Sequence, residues 1–294
     1  MSLWLDFMGA QIRYVQTPGF GRVRIAEAGQ SNPEALFLMH GIGGHLEAYA
    51  KNLLALSEHY HVIAFDFVGH GYSEKKTDLQ YTANAYAEQL REVMDVLAIE
   101  QAHIQGESLG GIVAGKFVVR YPDRVLRVVL NTAGGIPIVT QKGKQDLKDL
   151  AALSKQSYAT GPTFESVQAR MRWLFNEKNW DLVSDELVST RLKIYTETGF
   201  SETAPLVYQA LGKPKEGDDP NMMMIDLENL PCETLFLWTR ENPIHDLESA
   251  KQACARVPQG LLYVMEAECG HWPQYEAPDE FNQVMVRFLS TGQA

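Results

Sequence analysis

Ser108 has the residue type and the local sequence of a catalytic nucleophile. Gly106 and Gly110 flank it two positions away, so the segment matches the pattern G-x-S-x-G. A short apolar run, residues 103–107, precedes the serine, and an amphipathic stretch, residues 109–121, follows it. A sharp strand-to-helix turn brings backbone close to neighbouring chain, which only residues without a side chain tolerate. The pattern therefore predicts a serine hydroxyl at the carboxyl end of a sheet, where open α/β folds bind ligands.

His271 is the histidine best placed to activate that hydroxyl. It stands between the last predicted strand and the C-terminal amphipathic stretch, and only this one of the eight histidines has that context. A serine needs a neighbouring base near neutral pH, and imidazole, with an ordinary pKa of about 6.5, suits that role. His40 and His70 are interpreted as structural residues of turns. The sequence thus predicts Ser108 as nucleophile and His271 as general base.

Short apolar runs rich in β-branched or aromatic residues alternate with longer helical patterns. This alternation predicts a mostly parallel, eight-stranded sheet with helices on both faces. The predicted strands cover residues 11–15, 22–27, 35–40, 61–67, 103–107, 127–133, 234–239 and 261–267. Crossover helices are predicted at residues 83–99, 109–121, 248–257 and 280–289.

The stretch of residues 136–228 contains no convincing strand. Its helical patterns lie at residues 144–158, 163–175, 184–198 and 203–211. The sequence therefore predicts a core domain of residues 1–135 and 229–294, interrupted by a helical cap of residues 136–228. A length of 294 residues fits one main domain with an inserted subdomain.

Composition and charge exclude several classes of function. A formal net charge of -11 and the lack of a basic run argue against nucleic acid as a partner. Cys232, Cys254 and Cys269 match no metal-ligand spacing and are interpreted as reduced thiols of a cytoplasmic protein. The sequence carries no dinucleotide fingerprint and no clustered metal ligands, so neither a cofactor nor a metal is expected. Without a signal sequence or a run of about 18 apolar residues, no export and no membrane anchoring are expected.

Two further segments make nearly the whole chain similar to the α/β-hydrolase superfamily. Residues 40–45, His-Gly-Ile-Gly-Gly-His, follow the third predicted strand as the oxyanion loop does in that family. Residues 66–73 follow the next strand and look like the family's D-x-x-G-x-G-x-S turn. The resemblance implies that the backbone N–H groups of Ile42 and Leu109 face a developing oxyanion, where losing one donor typically costs about 3 kcal/mol. It also places Gly41 and Gly43 beside the substrate.

The acid of the family's catalytic triad is missing from its usual place. The family carries it in a G-x-x-D pattern after the seventh strand, where this chain has Asn242. An amide oxygen can accept the hydrogen bond that orients His271, but it adds no negative charge to stabilise imidazolium. We take Asn242 as the positional equivalent. The alternatives are that Glu241 or Asp246 acts from a shifted loop, or that position 242 has been altered from a native acid.

Two segments resemble the meta-cleavage product hydrolases, which cut a carbon–carbon bond in ring-fission products of aromatic degradation. Residues 270–276 look much like theirs and place Trp272 directly after the histidine. Arg191 matches the arginine that binds the dienoate carboxylate in that family, and a guanidinium can hold a carboxylate bidentately. The resemblance implies a hydrolase of 2-hydroxy-6-oxo-hexa-2,4-dienoate-type compounds, with an aromatic-derived carboxylate as substrate. The oligomeric state is left open, a homo-oligomer included.

Departures from that family keep two other functions open. The oxyanion loop is shorter than usual, and Glu107 replaces the asparagine that precedes the nucleophile. A plain carboxylesterase therefore stays an alternative, as does a ligand-binding protein that has lost efficient chemistry at Asn242. Arg191 has the alternative of a solvated helix residue, and Trp272 that of packing at the cap interface.

Overall fold

An eight-stranded sheet forms the centre of the computed structural model, which describes residues 2–210 and 222–294 apart from the side chains of residues 154–160. The strand order is β1-β2-β4-β3-β5-β6-β7-β8. The β1–β2 and β2–β4 pairs are antiparallel and the other pairs are parallel, which confirms the predicted mostly parallel sheet. The strands are β1 (Gln11–Thr17), β2 (Gly21–Ala28), β3 (Ala35–Met39), β4 (His61–Phe65), β5 (Ala102–Glu107), β6 (Val125–Asn131), β7 (Thr234–Trp238) and β8 (Gly260–Val264).

Helices cover both faces of the sheet because alternate strand residues point in opposite directions. In β3, Phe37 and Met39 face one apolar core, while Leu36 and Leu38 face the other. Residues of α3, α4 and α9 complete the first core, and residues of α2 and α11 complete the second. In the core regions the helices are α1 (Leu3–Asp6), α2 (Leu53–Leu56), α3 (Ala83–Val96), α4 (Leu109–Arg120), α9 (Leu247–Cys254), α10 (Pro273–Glu276) and α11 (Pro278–Thr291).

The carboxyl ends of several strands differ from the sequence prediction. Five predicted strands end one to three residues too late, those at 35–40, 61–67, 127–133, 234–239 and 261–267. Most residues beyond the true ends stay buried although they leave the ladder: Phe67 and Thr132 are both buried, and Thr132 has a φ of 39°. Apolar composition cannot separate a buried strand from a buried loop.

Between β6 and β7, in the region predicted as a cap, the described residues form four α-helices: α5 (Gln141–Thr160), α6 (Phe164–Leu174), α7 (Asp185–Tyr195) and α8 (Phe200–Ala210). Side-chain hydroxyls cap three of them, since Thr140, Thr163 and Ser184 each accept a hydrogen bond from a first-turn backbone N–H. Residue 211, the predicted end of the fourth helix, lies outside the described residues. The division into core and cap domains stays a prediction.

None of the described helices combines the length and the apolar character needed to cross a membrane.

Candidate active site

Ser108 lies on a strained turn between β5 and α4. Its φ of 52° and ψ of -109° fall in a region that residues other than glycine rarely adopt, which costs about 1–3 kcal/mol. A Cβ on Gly106 would lie 2.0 Å from the carbonyl oxygen of Gly110, and one on Gly110 would lie 2.3 Å from that of Met39. No larger residue fits at either glycine, so the turn presents Ser108 at the carboxyl edge of the sheet.

His271 lies in the loop between β8 and α10, at the same edge. The Glu276 carboxylate holds this loop by accepting hydrogen bonds from the backbone N–H groups of Gly270 and Trp272, at 2.9 and 3.1 Å. Burial raises the pKa of Glu276, and these donors oppose that rise. The His271 ring and Ser108 line one cavity of about 20 Å³, which we call the small cavity. Within the described part of the chain, no hydrogen bond joins Ser108 to the ring.

The oxygen beside Nδ1 of His271 belongs to Asn242. Its Oδ1 lies 2.7 Å from Nδ1. Its Nδ2 donates to the backbone oxygen of His245 at 2.6 Å, which turns the amide oxygen toward the ring. Nδ1 therefore carries the proton of this hydrogen bond.

The two acids considered as substitutes for Asn242 have other partners. Asp246 caps α9 by accepting from the backbone N–H of Ser249 at 3.0 Å. Glu241 accepts from Nδ2 of Asn176 at 2.6 Å. Neither carboxylate is hydrogen-bonded to His271.

The other ring nitrogen faces a carboxylate that the sequence analysis did not assign to the site. Nε2 of His271 lies 3.1 Å from Oε1 of Glu107, whose side chain is buried. Glu107 is the last residue of β5 and directly precedes Ser108. This adjacency to the predicted nucleophile was the signal that could have identified it.

Ile42 and Leu109, the predicted oxyanion donors, line a second, larger cavity together with Ser108. In the ranges that the structure describes, neither backbone N–H donates a hydrogen bond. His40 fixes the loop that carries Ile42, since its Nδ1 donates to the Gly41 oxygen at 2.7 Å and its Nε2 accepts from the backbone N–H of Phe67 at 3.2 Å. Burial lowers the pKa of His40 to about 4, which keeps this ring neutral at pH 7.

Arg191 is buried, with 1% of its surface exposed, so it is not a solvated helix residue. Its Nε and Nη2 donate to the backbone oxygen of Gly43 at 3.2 and 2.7 Å, and the Tyr195 hydroxyl donates to the same oxygen at 2.7 Å. The guanidinium carbon lies 5.0 Å from the centre of the Trp272 ring. Both Arg191 and Trp272 line the small cavity. Nη1 is buried and has no partner among the described residues, so one charged donor is left for an anionic ligand.

A larger cavity of about 940 Å³ also borders Ser108, and we call it the apolar chamber. Residues 134–138 after β6 form one wall, and α5 contributes Leu147 and Ala151. Met223 and Met224 also line it. Arg170 borders both cavities. Ser108 thus borders both a small cavity, which Glu107, Arg191 and His271 also line, and a large apolar one.

Comparison with known proteins places the chain in a family. Residues 34–278 match the family described as alpha/beta hydrolase fold. A 2-hydroxymuconate semialdehyde hydrolase of Pseudomonas sp. (strain CF600) is 29% identical over 93% of this chain and 92% of its own. A 2-hydroxy-6-oxo-2,4-heptadienoate hydrolase of Pseudomonas putida is 27% identical over 96% and 98%.

A solved structure agrees with these relatives. The meta-cleavage product hydrolase of Pseudomonas fluorescens IP01 has a TM-score of 0.77 and 26% identity, covering 97% of this chain and 100% of that one. The matches confirm the predicted fold, the resemblance to meta-cleavage product hydrolases and the assignment as a hydrolase. The chain belongs to the alpha/beta hydrolase fold family.

Proposed function

We propose that this chain is a carbon–carbon bond hydrolase that acts on ring-fission products of the 2-hydroxy-6-oxo-hexa-2,4-dienoate type. Curated relatives at 27–29% identity are named as hydrolases of such compounds. The observation that carries the proposal is Arg191, a buried guanidinium with an unpartnered Nη1 beside Ser108 and His271. A buried charge without a counterion is costly, and a substrate carboxylate would offset that cost.

Each residue of the site has a role in this proposal. The substrate carboxylate binds Arg191 against the face of Trp272, and the 6-carbonyl carbon lies over Ser108. As Oγ of Ser108 attacks that carbon, Nε2 of His271 takes the hydroxyl proton, and Asn242 keeps the ring oriented. The backbone N–H groups of Ile42 and Leu109 stabilise the negative charge on the carbonyl oxygen.

The bond breaks once the dienol has become a ketone. The carbon–carbon bond beside the 6-carbonyl then cleaves, and its electrons pass into the leaving chain. That chain takes the proton from Nε2 of His271 and departs as an enol, while the acyl group stays on Ser108. Water activated by His271 hydrolyses this ester and releases a carboxylic acid. Because Ser108 borders both cavities, we place the substituent on carbon 6 in the apolar chamber, next to the predicted cap of residues 136–228. Its volume of about 940 Å³ and its apolar lining favour an aryl or alkyl substituent larger than methyl.

The test is the loss of visible absorbance of a yellow 6-phenyl dienoate. Wild-type protein is expected to bleach it, and Ser108→Ala to be slower by roughly 10,000-fold or more. Arg191→Lys keeps one donor for the Gly43 oxygen but loses the planar fork, so KM for the dienoate should rise about 10-fold. Tyr195→Phe is the matched control, since it also removes a donor from that oxygen and leaves the guanidinium intact. Rapid cleavage of neutral aryl esters without dienoate turnover would contradict the proposal.

A carboxylesterase is the second candidate, and one contact favours it. Nε and Nη2 of Arg191 are already bound to the Gly43 oxygen, which gives the guanidinium a structural use without any substrate. An esterase needs no carboxylate clamp, so Arg191→Lys would leave the hydrolysis of neutral esters nearly unchanged. A protein that only binds ligands would instead leave Ser108 unlabelled by a fluorophosphonate probe.

A further inference from the structure

The Glu107 carboxylate is enclosed between the serine turn and the oxyanion loop. Its side chain is buried, and Oε2 has no hydrogen-bond partner in the part of the chain that the structure describes. A Cβ on Gly41 would lie 2.5 Å from Oε2, so a side chain at position 41 would displace the carboxylate. An unpartnered carboxylate oxygen in a dry site is costly, which indicates that this charge has a function.

The hydrogen bonds of His271 determine which of its nitrogens can exchange a proton. The Asn242 amide is held with its oxygen toward Nδ1, because Nδ2 is bound to the His245 carbonyl. Nδ1 keeps its proton, and Nε2 is left to accept and release one. Nε2 is also the nitrogen that lies 3.1 Å from Oε1 of Glu107, so a proton on Nε2 would be shared with a carboxylate.

We propose that Glu107 is the positioning residue that supplies the negative charge missing at Asn242. When Ser108 attacks a carbonyl, its O–H bond breaks, a carbon–oxygen bond forms and the proton binds Nε2. The imidazolium is then held by the neutral Asn242 oxygen at Nδ1 and by the Glu107 carboxylate at Nε2. The usual acid stabilises this cation from the Nδ1 side, whereas Glu107 does so from the side of the nucleophile. The inference rests on the Ser108–His271 chemistry of the proposed function and not on its substrate.

The first experiment removes the charge and keeps the shape. The rate at which a fluorophosphonate probe labels Ser108 is measured in wild-type protein and in Glu107→Gln. Charged hydrogen bonds are worth enough that we expect labelling to slow roughly 10- to 100-fold. Labelling of Glu107→Gln at the wild-type rate would overturn the proposal.

The second experiment asks whether a carboxylate on the other side of the ring can replace Glu107. Asn242→Asp introduced into the Glu107→Gln background is expected to restore labelling to within a few-fold of wild type. In the wild-type background the same substitution should raise the rate by a smaller factor, because the cation is already compensated. A structural role for Glu107 predicts no rescue, and a double variant as slow as Glu107→Gln would refute our assignment.

Two controls keep the result interpretable. Thermal unfolding is recorded for every variant, and Glu107→Asp serves as a second variant in case Glu107→Gln does not fold. Glu107→Asp keeps the negative charge but moves it away from Nε2 by one methylene, so an intermediate labelling rate is expected. Labelling of Glu107→Asp at the wild-type rate would count against a direct effect on Nε2. Labelling does not depend on dienoate turnover, so a protein that labels rapidly but leaves dienoates intact contradicts the proposed function alone.

Discussion

Asn242 forms hydrogen bonds through both ends of its amide, and these bonds set the tautomer and orientation of the His271 ring. Oδ1 accepts from Nδ1 of His271 at 2.7 Å, while Nδ2 donates to the His245 oxygen at 2.6 Å. An aspartate would provide only acceptors and would leave that carbonyl without this donor. The asparagine therefore fixes the tautomer of His271 through a neutral contact.

Replacing Asn242 with alanine should separate orientation from charge. Asn242→Ala leaves Nδ1 of His271 unpartnered, at a cost of about 1–3 kcal/mol, while the His245 oxygen keeps the hydrogen bond from Nε1 of Trp238 at 2.7 Å. We expect fluorophosphonate labelling of Ser108 to slow by roughly 100-fold or more, because neither the tautomer nor the orientation of the His271 ring is then fixed. The matched control is Glu241→Ala, since the Glu241 carboxylate binds Asn176 and not the ring. Equal labelling by both variants would show that Asn242 does not orient the base.

The sequence predicted the residues of this site better than it predicted their contacts. Ser108 and His271 could be assigned because each belongs to a motif beside a predicted strand. The contact of His271 with Glu107, and the three donors on the Gly43 oxygen, depend on side-chain rotamers and on the path of a loop. Neither leaves a periodic signal in the chain. Asn242 was aligned with the acid of the family's G-x-x-D pattern, and its Oδ1 lies 2.7 Å from Nδ1 of His271.

Helix α5 presents one face to the apolar chamber. Lys144, Leu147, Leu150 and Ala151 line the cavity at the spacing of successive helical turns. The opposite wall follows β6, so α5 determines how wide the chamber is. Because Leu147 is also 46% exposed, a larger side chain there can enter the chamber without disturbing a core.

Narrowing the chamber should change substrate preference rather than chemistry. Leu147→Trp adds a ring where a bulky substituent on carbon 6 would lie. We expect kcat/KM to fall roughly 10-fold for a 6-phenyl dienoate, since overpacking costs about 1–3 kcal/mol, and to stay near wild type for the 6-methyl compound. Both substrates are followed by the loss of visible absorbance with the same preparation. An equal decrease for the two would mean that the substituent lies elsewhere.

Helices and strands were predictable where amino-acid composition and the period of the apolar residues agree. The alternation of apolar runs and amphipathic stretches identified every strand of the sheet, because parallel strands buried on both faces are apolar throughout. The carboxyl ends of the strands were not predicted correctly, because loops such as the one containing Phe67 are as buried as the strands. The loops that hold the site are therefore the part least visible in the sequence.

Buried histidines recur across the molecule. Loss of hydration disfavours the imidazolium and lowers the pKa of buried His40 to about 4 and that of half-buried His245 to about 3. In the unfolded chain the ordinary pKa is about 6.5, so between these values only the unfolded state binds the proton. Stability is therefore lost as the pH falls below about 6.5. The pKa values of three further histidines are lowered in the same way: His45, His70 and His103.

Unfolding should therefore become easier in mild acid. His40 and His245 alone should lower the free energy of unfolding by on the order of 4 kcal/mol between pH 7 and pH 5, offset in part by Glu276, whose pKa is raised. Urea unfolding at pH 5, 6, 7 and 8 measures this, with little contribution from these groups expected between pH 7 and 8. His245→Gln should reduce the dependence by about one proton. Equal stability at pH 5 and pH 7 would contradict the assignment of neutral buried rings.

The backbone oxygen of Gly43 connects helix α7 to the loop of residues 40–45. Arg191 and Tyr195, both on α7, together place three donors on this oxygen. If α7 moves outward to admit a ligand, the loop of residues 40–45 loses these three hydrogen bonds in the same motion. Ligand entry would then require α7 to move outward, and turnover would require it to move back. The enzyme would therefore be inactive while the site is open.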